Sequence, residues 1–119
     1  MNREPIIIVA GEPNSVFLEI FFKSIKTNRY NSPIIIIASR QLLEAQMQKL
    51  GFFYKINSIS ENFNKFNELD NKKINLINVK YTFRKCFEEI SNKSNGYIKK
   101  SFEIALKIIL KNKFSKFIN

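Results

Sequence analysis

The sequence predicts an α/β fold, a three-layer α/β/α arrangement, and three observations carry that expectation. Two short runs, residues 6–10 and 33–38, are apolar from end to end and rich in isoleucine. Strands buried on both faces read this way, as in parallel sheets, whereas one-faced strands alternate. Each run is followed by a stretch with helical spacing of apolar residues. With 119 residues, 45% of them hydrophobic, the chain is one domain at most and long enough to bury a core.

Taken in order, residues 6–10 form a strand that Gly11-Glu12-Pro13 ends in a turn. A helix follows, with Val16, Ile20, Phe21, Ser24 and Ile25 on its inner face and Glu19 and Lys23 in water. Asn14 or Ser15 is its cap, and Glu19 suits the positive end of its dipole. Residues 28–32 are a polar turn. Residues 33–38 are the second strand, and Ser39 caps a helix over residues 40–50 whose apolar face is Leu42, Leu43, Met47 and Leu50. Gly51 is placed to stop it. Residues 52–59 read as extended, since Phe53, Tyr54 and Ile56 are strand formers. The Asn-rich stretch 60–73 holds at most a helical turn at Phe63, Phe66 and Leu69, and residues 74–79 are another strand. Residues 81–95 carry two signals. Phe83, Phe87 and Ile90 keep helical spacing, but the stretch ends in loop composition. A long helix is expected over residues 95–112, with Ile98, Phe102, Ala105 and Ile109 inward, and residues 113–118 begin a further strand.

Composition excludes more than it assigns. The chain has no histidine and one cysteine, so histidine acid–base chemistry, histidine metal sites and thiolate metal clusters are excluded within it. Cys86 sits beside Arg84 and Lys85, which would lower its thiol pKa, but no base is present to pair with it. Glu88 and Glu89 are adjacent, so on a helix they diverge and read as a solvated face. The N-terminus, residues 1–5, is polar. The short apolar run after it is neither a secretory leader nor a membrane span of roughly 20 residues, so a cytoplasmic protein is expected. The net charge of +10 raises the alternative of a self-contained basic α/β nucleic-acid-binding module. Against it, the cations are spread along the chain and are mostly lysine, with only Arg3, Arg29, Arg40 and Arg84 able to make forked contacts. Abundant Ile, Lys, Asn and Phe are the mark of AT-rich coding, so the charge reads as solvated surface and a nucleic-acid partner is not expected. A small doubly wound regulatory domain would need acids grouped after the first strand, and Glu12 alone does not supply them.

One loop has a candidate site. Gly11-Glu12-Pro13-Asn14-Ser15 lies between the first strand and first helix, where backbone amides and the helix dipole can face an anion. It is neither a dinucleotide fingerprint nor a Walker loop, because Gly11 is its only glycine and no Gly-Lys-Ser/Thr follows. The run Pro5-Ile6-Ile7-Ile8-Val9-Ala10-Gly11-Glu12-Pro13, with Glu19 after it, resembles the opening of the 4-hydroxythreonine-4-phosphate dehydrogenase family. That opening is a strand, then Gly-Asp/Glu-Pro-Ala-Gly-Ile-Gly-Pro-Glu, then a helix. The stretch from Asn95-Gly96-Tyr97-Ile98 through Ser101, Ile104 and Ala105 to Phe114-Ser115-Lys116-Phe117-Ile118-Asn119 is similar to the family's helix and following strand. Ser15 and Phe17 stand where the family has glycines, and Leu18 where it has proline.

The resemblance spans nearly all of the chain and implies that residues 1–119 are the N-terminal part of the first α/β domain of a longer subunit. The expected fold is then an incomplete one of the isocitrate/isopropylmalate-dehydrogenase type. It further implies NAD(P)-dependent oxidation and decarboxylation of 4-phosphooxy-threonine, a small phosphorylated amino-acid substrate, in vitamin B6 (pyridoxine) biosynthesis. The family is homodimeric and uses a divalent metal held by three histidines. Those ligands and the catalytic residues lie beyond Asn119 in family members, so no catalytic or metal residue carries over. The chain alone is expected to be inactive and to bind no cofactor tightly. What carries over is the cleft loop, with Gly11, Glu12 and Pro13 on the cofactor side. Exposed apolar surface is expected at the sheet edge and cleft face.

Overall fold

The computed structural model describes residues 4–119. Met1, Asn2 and Arg3, part of the polar N-terminal stretch and of the arginine set named above, lie outside the described residues. Five parallel strands, β1 (Ile6–Val9), β2 (Ile34–Ala38), β3 (Ile56–Ser58), β4 (Ile74–Asn78) and β5 (Phe117–Ile118), lie in the order β3-β4-β2-β1-β5. The helices are α1 (Phe17–Thr27), α2 (Arg40–Leu50) and α3 (Asn95–Asn112), with single 3-10 turns at Phe66–Glu68 and Asn92–Ser94. The α/β fold expected from the sequence is therefore present.

The isoleucine runs explain the middle of the sheet. β2 is buried along its whole length, with Ile6 of β1 opposite Ile34 and Leu76 of β4 opposite Ile36. Such strands need cover on both faces. Chain direction supplies it. The connections β1-α1-β2 and β2-α2-β3 run one way along the sheet, while β4-α3-β5 runs back across β2 and β1. Right-handed crossovers then place α1 and α2 on one face and α3 on the other. Accordingly α1 packs against α2, and α3 against β1 and β2.

The helix ends follow their residue types. Ser39 accepts the Leu42 amide at the start of α2, and Gly51 takes φ +80° at its end. At α1 the N-cap position belongs to Val16, which has no cap to offer, and Ser15 Oγ one step earlier accepts the Phe17 amide instead (3.2 Å).

Several expected faces are corrected. On α1 the buried stripe is Leu18, Phe21 and Phe22, with Ile25 packed beside it, while Val16 and Ile20 are 57% and 60% exposed. Leu18, Phe21, Phe22 and Ile25 lie at i, i+3, i+4 and i+7, a complete helical stripe that outcompetes the sparser one through Ile20. On α3 the buried positions are Tyr97, Ser101, Ile104, Ala105 and Ile108. Ala105 is inward as expected, but Ile98, Phe102 and Ile109 only flank this face. The extended stretch 52–59 contributes only three residues of strand, and Phe53 is 90% exposed. Phe52 and Tyr54 lie ahead of the strand and pack their rings against Phe22 of α1. Residues 81–91 form no helix, and Phe87 takes φ +58°.

Apolar surface is exposed at the β5 edge, through Phe117 and Ile118, and on the outer side of α3, through Leu106 and Leu110. Among the described residues no helix is long and apolar enough to cross a membrane.

Candidate functional site

Ligands of open parallel sheets sit beyond the carboxyl ends of the strands, where neighbouring connections leave toward opposite faces. Here β2 leads to α2 and β4 leads to α3, so the divergence falls at Ser39 and Asn78, beside the loop that leaves β1. The structure brings four segments to this end: the loop 11–15, the start of α2, the residues after β4, and the start of α3.

Gly11 takes φ +71°, a conformation that strains any side chain, and a Cβ there would meet Asn119 Nδ2 at 3.0 Å. Pro13 is buried, and its carbonyl accepts from Gln46 Nε2 (3.1 Å). Glu12 is half-buried, with Oε1 accepting from the Asn14 amide (3.1 Å) and Oε2 from the Ser94 hydroxyl (3.1 Å). Asn14 Oδ1 in turn accepts from the Glu88 amide (3.0 Å). Gly11, Glu12 and Pro13 thus lie between the middle of α2, through Gln46, and the start of α3, through Ser94.

Two tyrosines complete this end. Tyr81 and Tyr97 lie with ring centroids 4.9 Å apart, and the Tyr97 hydroxyl accepts from the Ser39 amide (3.0 Å). Burial pushes the Tyr97 hydroxyl up to about 12; the Ser39 amide opposes this, and Tyr81 adds to it. Burial also raises Tyr81, with Asn14 pulling down by a hydrogen bond and Glu12 and Glu88 adding to the rise. Both therefore stay neutral near pH 7 and act as hydrogen-bonding groups, not as bases.

Several of the amides that would greet a phosphate are engaged internally. At α1, Phe17 donates to Ser15 Oγ and Ser15 to the Glu12 carbonyl. At α2, Ser39 donates to Tyr97, Arg40 to Asn78 Oδ1 (2.8 Å) and Leu42 to Ser39 Oγ. Arg40 is directed to Ser58 Oγ (2.8 Å) and Glu44 Oε1 (3.2 Å). With Glu12 also at this end, these residues do not fit a pyrophosphate cradle. Nor do they fit a divalent metal, because among the described residues no three of His, Cys, Asp and Glu converge. What the arrangement offers is a stiff, neutral-to-acidic wall with hydroxyl, amide and carboxylate groups.

Tyr81, Ser94 and Tyr97 are the participants not expected from the sequence. A further sequence signal for Tyr97, beside its place in the stretch quoted for the resemblance, is its spacing of four from Ser101, a polar-bearing pair on the buried side of a helix; Ser101 Oγ donates to the Tyr97 carbonyl. The Cys86 thiol, expected to be lowered by Arg84 and Lys85, is pushed up by burial, with Lys49 opposing the rise.

No family model and no curated protein sequence matches the chain. Among solved structures it is similar to the X-ray crystal structure of a 4-hydroxythreonine-4-phosphate dehydrogenase from Burkholderia phymatum, with a TM-score of 0.77 and 17% identity. The match covers 100% of this chain and 38% of that one, so the chain spans well under half the length of the structure it resembles. At this identity the likeness shows the fold, an α/β fold of the dehydrogenase kind.

Proposed function

We propose that the chain is the opening part of an NAD(P)-dependent oxidoreductase of the 4-hydroxythreonine-4-phosphate dehydrogenase type, and that Gly11, Glu12 and Pro13 form one wall of its cofactor cleft. The supporting observation is the coincidence of two facts. The loop stands at the carboxyl end of β1 beside the divergence of β2 and β4, and the whole chain superposes on part of a dehydrogenase. In this reading NAD(P), when bound, would supply the hydride-accepting chemistry, and this chain supplies shape and hydrogen bonds. The Glu12 carboxylate keeps lone pairs beyond those used by Asn14 and Ser94 and accepts from a hydroxyl such as that of a ribose. Gly11 lets the chain turn sharply, and Gln46 pins Pro13, so the wall does not shift. Charge neutralisation of phosphates, the metal and proton transfer from the substrate hydroxyl belong to residues outside residues 1–119.

Two measurements test this. The purified chain with 4-phosphooxy-threonine, NAD and a divalent metal should show no turnover; turnover above background overturns the division of labour. Titration with NAD while amide resonances are followed should move Gly11, Glu12, Asn14, Ser15, Ser39 and Arg40, at millimolar affinity worth about 4 kcal/mol. Silence at those amides sinks the wall. RNA binding with a steep salt slope would instead favour the basic nucleic-acid-binding module.

A further inference from the structure

At the opposite end of the sheet, below the amino ends of β2 and β4, lies a cavity of about 370 Å³ that the loop at Gly11 does not touch. Its floor is apolar, formed by Phe21 and Ile25 of α1, Ile34 and Ile74 at the strand starts, and the Tyr54 ring. Its rim carries Arg29, Lys72 and Lys73. All three cations are exposed, and none forms an ion pair among the described residues. Asp70, the acid of the neighbouring turn, does not line the cavity; its carboxylate accepts from the Lys72 amide (2.9 Å).

The walls are held by side-chain hydrogen bonds that lie outside the backbone ladders. Asn71 accepts from the Ile34 amide (2.8 Å) and donates to the Tyr30 and Ser32 carbonyls (3.2 and 2.8 Å), tying the turn before β4 to the turn before β2. Buried Asn75 donates to the Ile34 and Asp70 carbonyls. The Tyr54 hydroxyl donates to the Phe22 carbonyl (3.1 Å), and the Tyr30 hydroxyl meets Ser24 Oγ at 2.6 Å. A pocket of this size, at the low end of the ~300–1,000 Å³ usual for small ligands, with an apolar body and a few convergent charges, is built for a small amphipathic molecule.

We propose that this cavity binds a small amphipathic anion, a flat apolar body seated on Phe21, Ile25 and Tyr54 with a phosphate or carboxylate head between Arg29, Lys72 and Lys73. Arginine offers a forked contact and the lysines point charges, so a compact, doubly charged head is favoured over a diffuse one. The proposal is independent of the oxidoreductase reading, since the two surfaces lie at opposite ends of the strands.

The probe is 1-naphthyl phosphate, titrated into the chain by calorimetry and by amide shifts. Saturable binding is expected, with shifts at residues 25–30 and 71–75. The K72E/K73E double variant should weaken it about tenfold. Those side chains are exposed, and an unchanged melting curve shows that the variant still folds. Neutral 1-naphthol should bind at least about tenfold more weakly than the phosphate, and inorganic phosphate alone should move the rim amides without the floor. Equal affinity in the double variant, equal affinity for 1-naphthol, or shifts centred on Leu106 and Leu110 would each overturn the proposal.

Discussion

Tyr97 ties two helices at one atom: its hydroxyl takes the Ser39 amide at the head of α2 from its own place at the head of α3. Removing that oxygen leaves a buried N–H unpaired, so Tyr97→Phe should cost about 1–3 kcal/mol in urea unfolding. The same group sets an alkaline limit. Its folded pKa of about 12 lies above the unfolded value of 10.0, so its contribution is whole below pH 10 and is lost as pH rises through 12. Stability should fall across that window by on the order of 2 kcal/mol, and Tyr97→Phe should flatten the fall. Tyr54 and Tyr81, also raised, act in the same direction. Gln46 presents a different case. It is fully buried, its Nε2 serves Pro13, and its Oε1 has no partner. Gln46→Leu exchanges one unpaired oxygen for another, the Pro13 carbonyl, and should stay within about 1 kcal/mol of the parent. Gln46→Glu buries a carboxyl whose pKa must rise. Its penalty should exceed about 2 kcal/mol near neutral pH and fade as pH drops toward 4, read from urea midpoints across that range.

At the scale of elements, α3 distinguishes two registers. The buried row through Ile104 and Ile108 predicts that Ile108→Ala costs about 2–4 kcal/mol, a cavity plus lost transfer energy. Leu110→Lys on the outer side should change stability by less than about 0.5 kcal/mol. A large loss at Leu110 would mean that the helix is rotated. Periodicity located this helix to the residue but misjudged its phase, because apolar residues lie almost all the way round and only Ala105 belongs to both candidate rows. The strands were legible for a plain reason: a run such as Ile34-Ile35-Ile36-Ile37 fits nothing but the middle of a covered sheet. β3 is shorter than its strand formers predict because Phe52 and Tyr54 serve instead as ring partners of Phe22. Ser39 and Gly51 were legible as caps because their chemistry is local. The site was legible only as a loop. Gly11, Glu12 and Pro13 announce a turn, but their meeting with Ser94 and with Gln46 depends on contacts between residues far apart in sequence.

For the whole molecule, the two sheet edges differ. β3 ends the sheet with polar Asn57 and Ser58, whereas β5 ends it with half-exposed Phe117 and Ile118. Exposed apolar edges invite further pairing and polar ones resist it. The chain should therefore self-associate at high concentration through β5, and Ile118→Lys should shift sedimentation toward the monomer while the corresponding change at Ser58 leaves it unaltered. Equal association in both variants would place the contact elsewhere.

β1 comes first in chain order among the described strands and lies inside the sheet, yet its second neighbour is β5. Glu4 accepts from Ser115, and Asn119 donates to the Val9 carbonyl, stitching the same seam. During synthesis, β1 and β2 can dock as soon as α1 has formed, but one flank of β1 stays bare until residues 117–118 leave the ribosome. Closure across so long a stretch of chain is slow, and sticky until finished. Nascent chains stalled before that point should be the ones that chaperones hold.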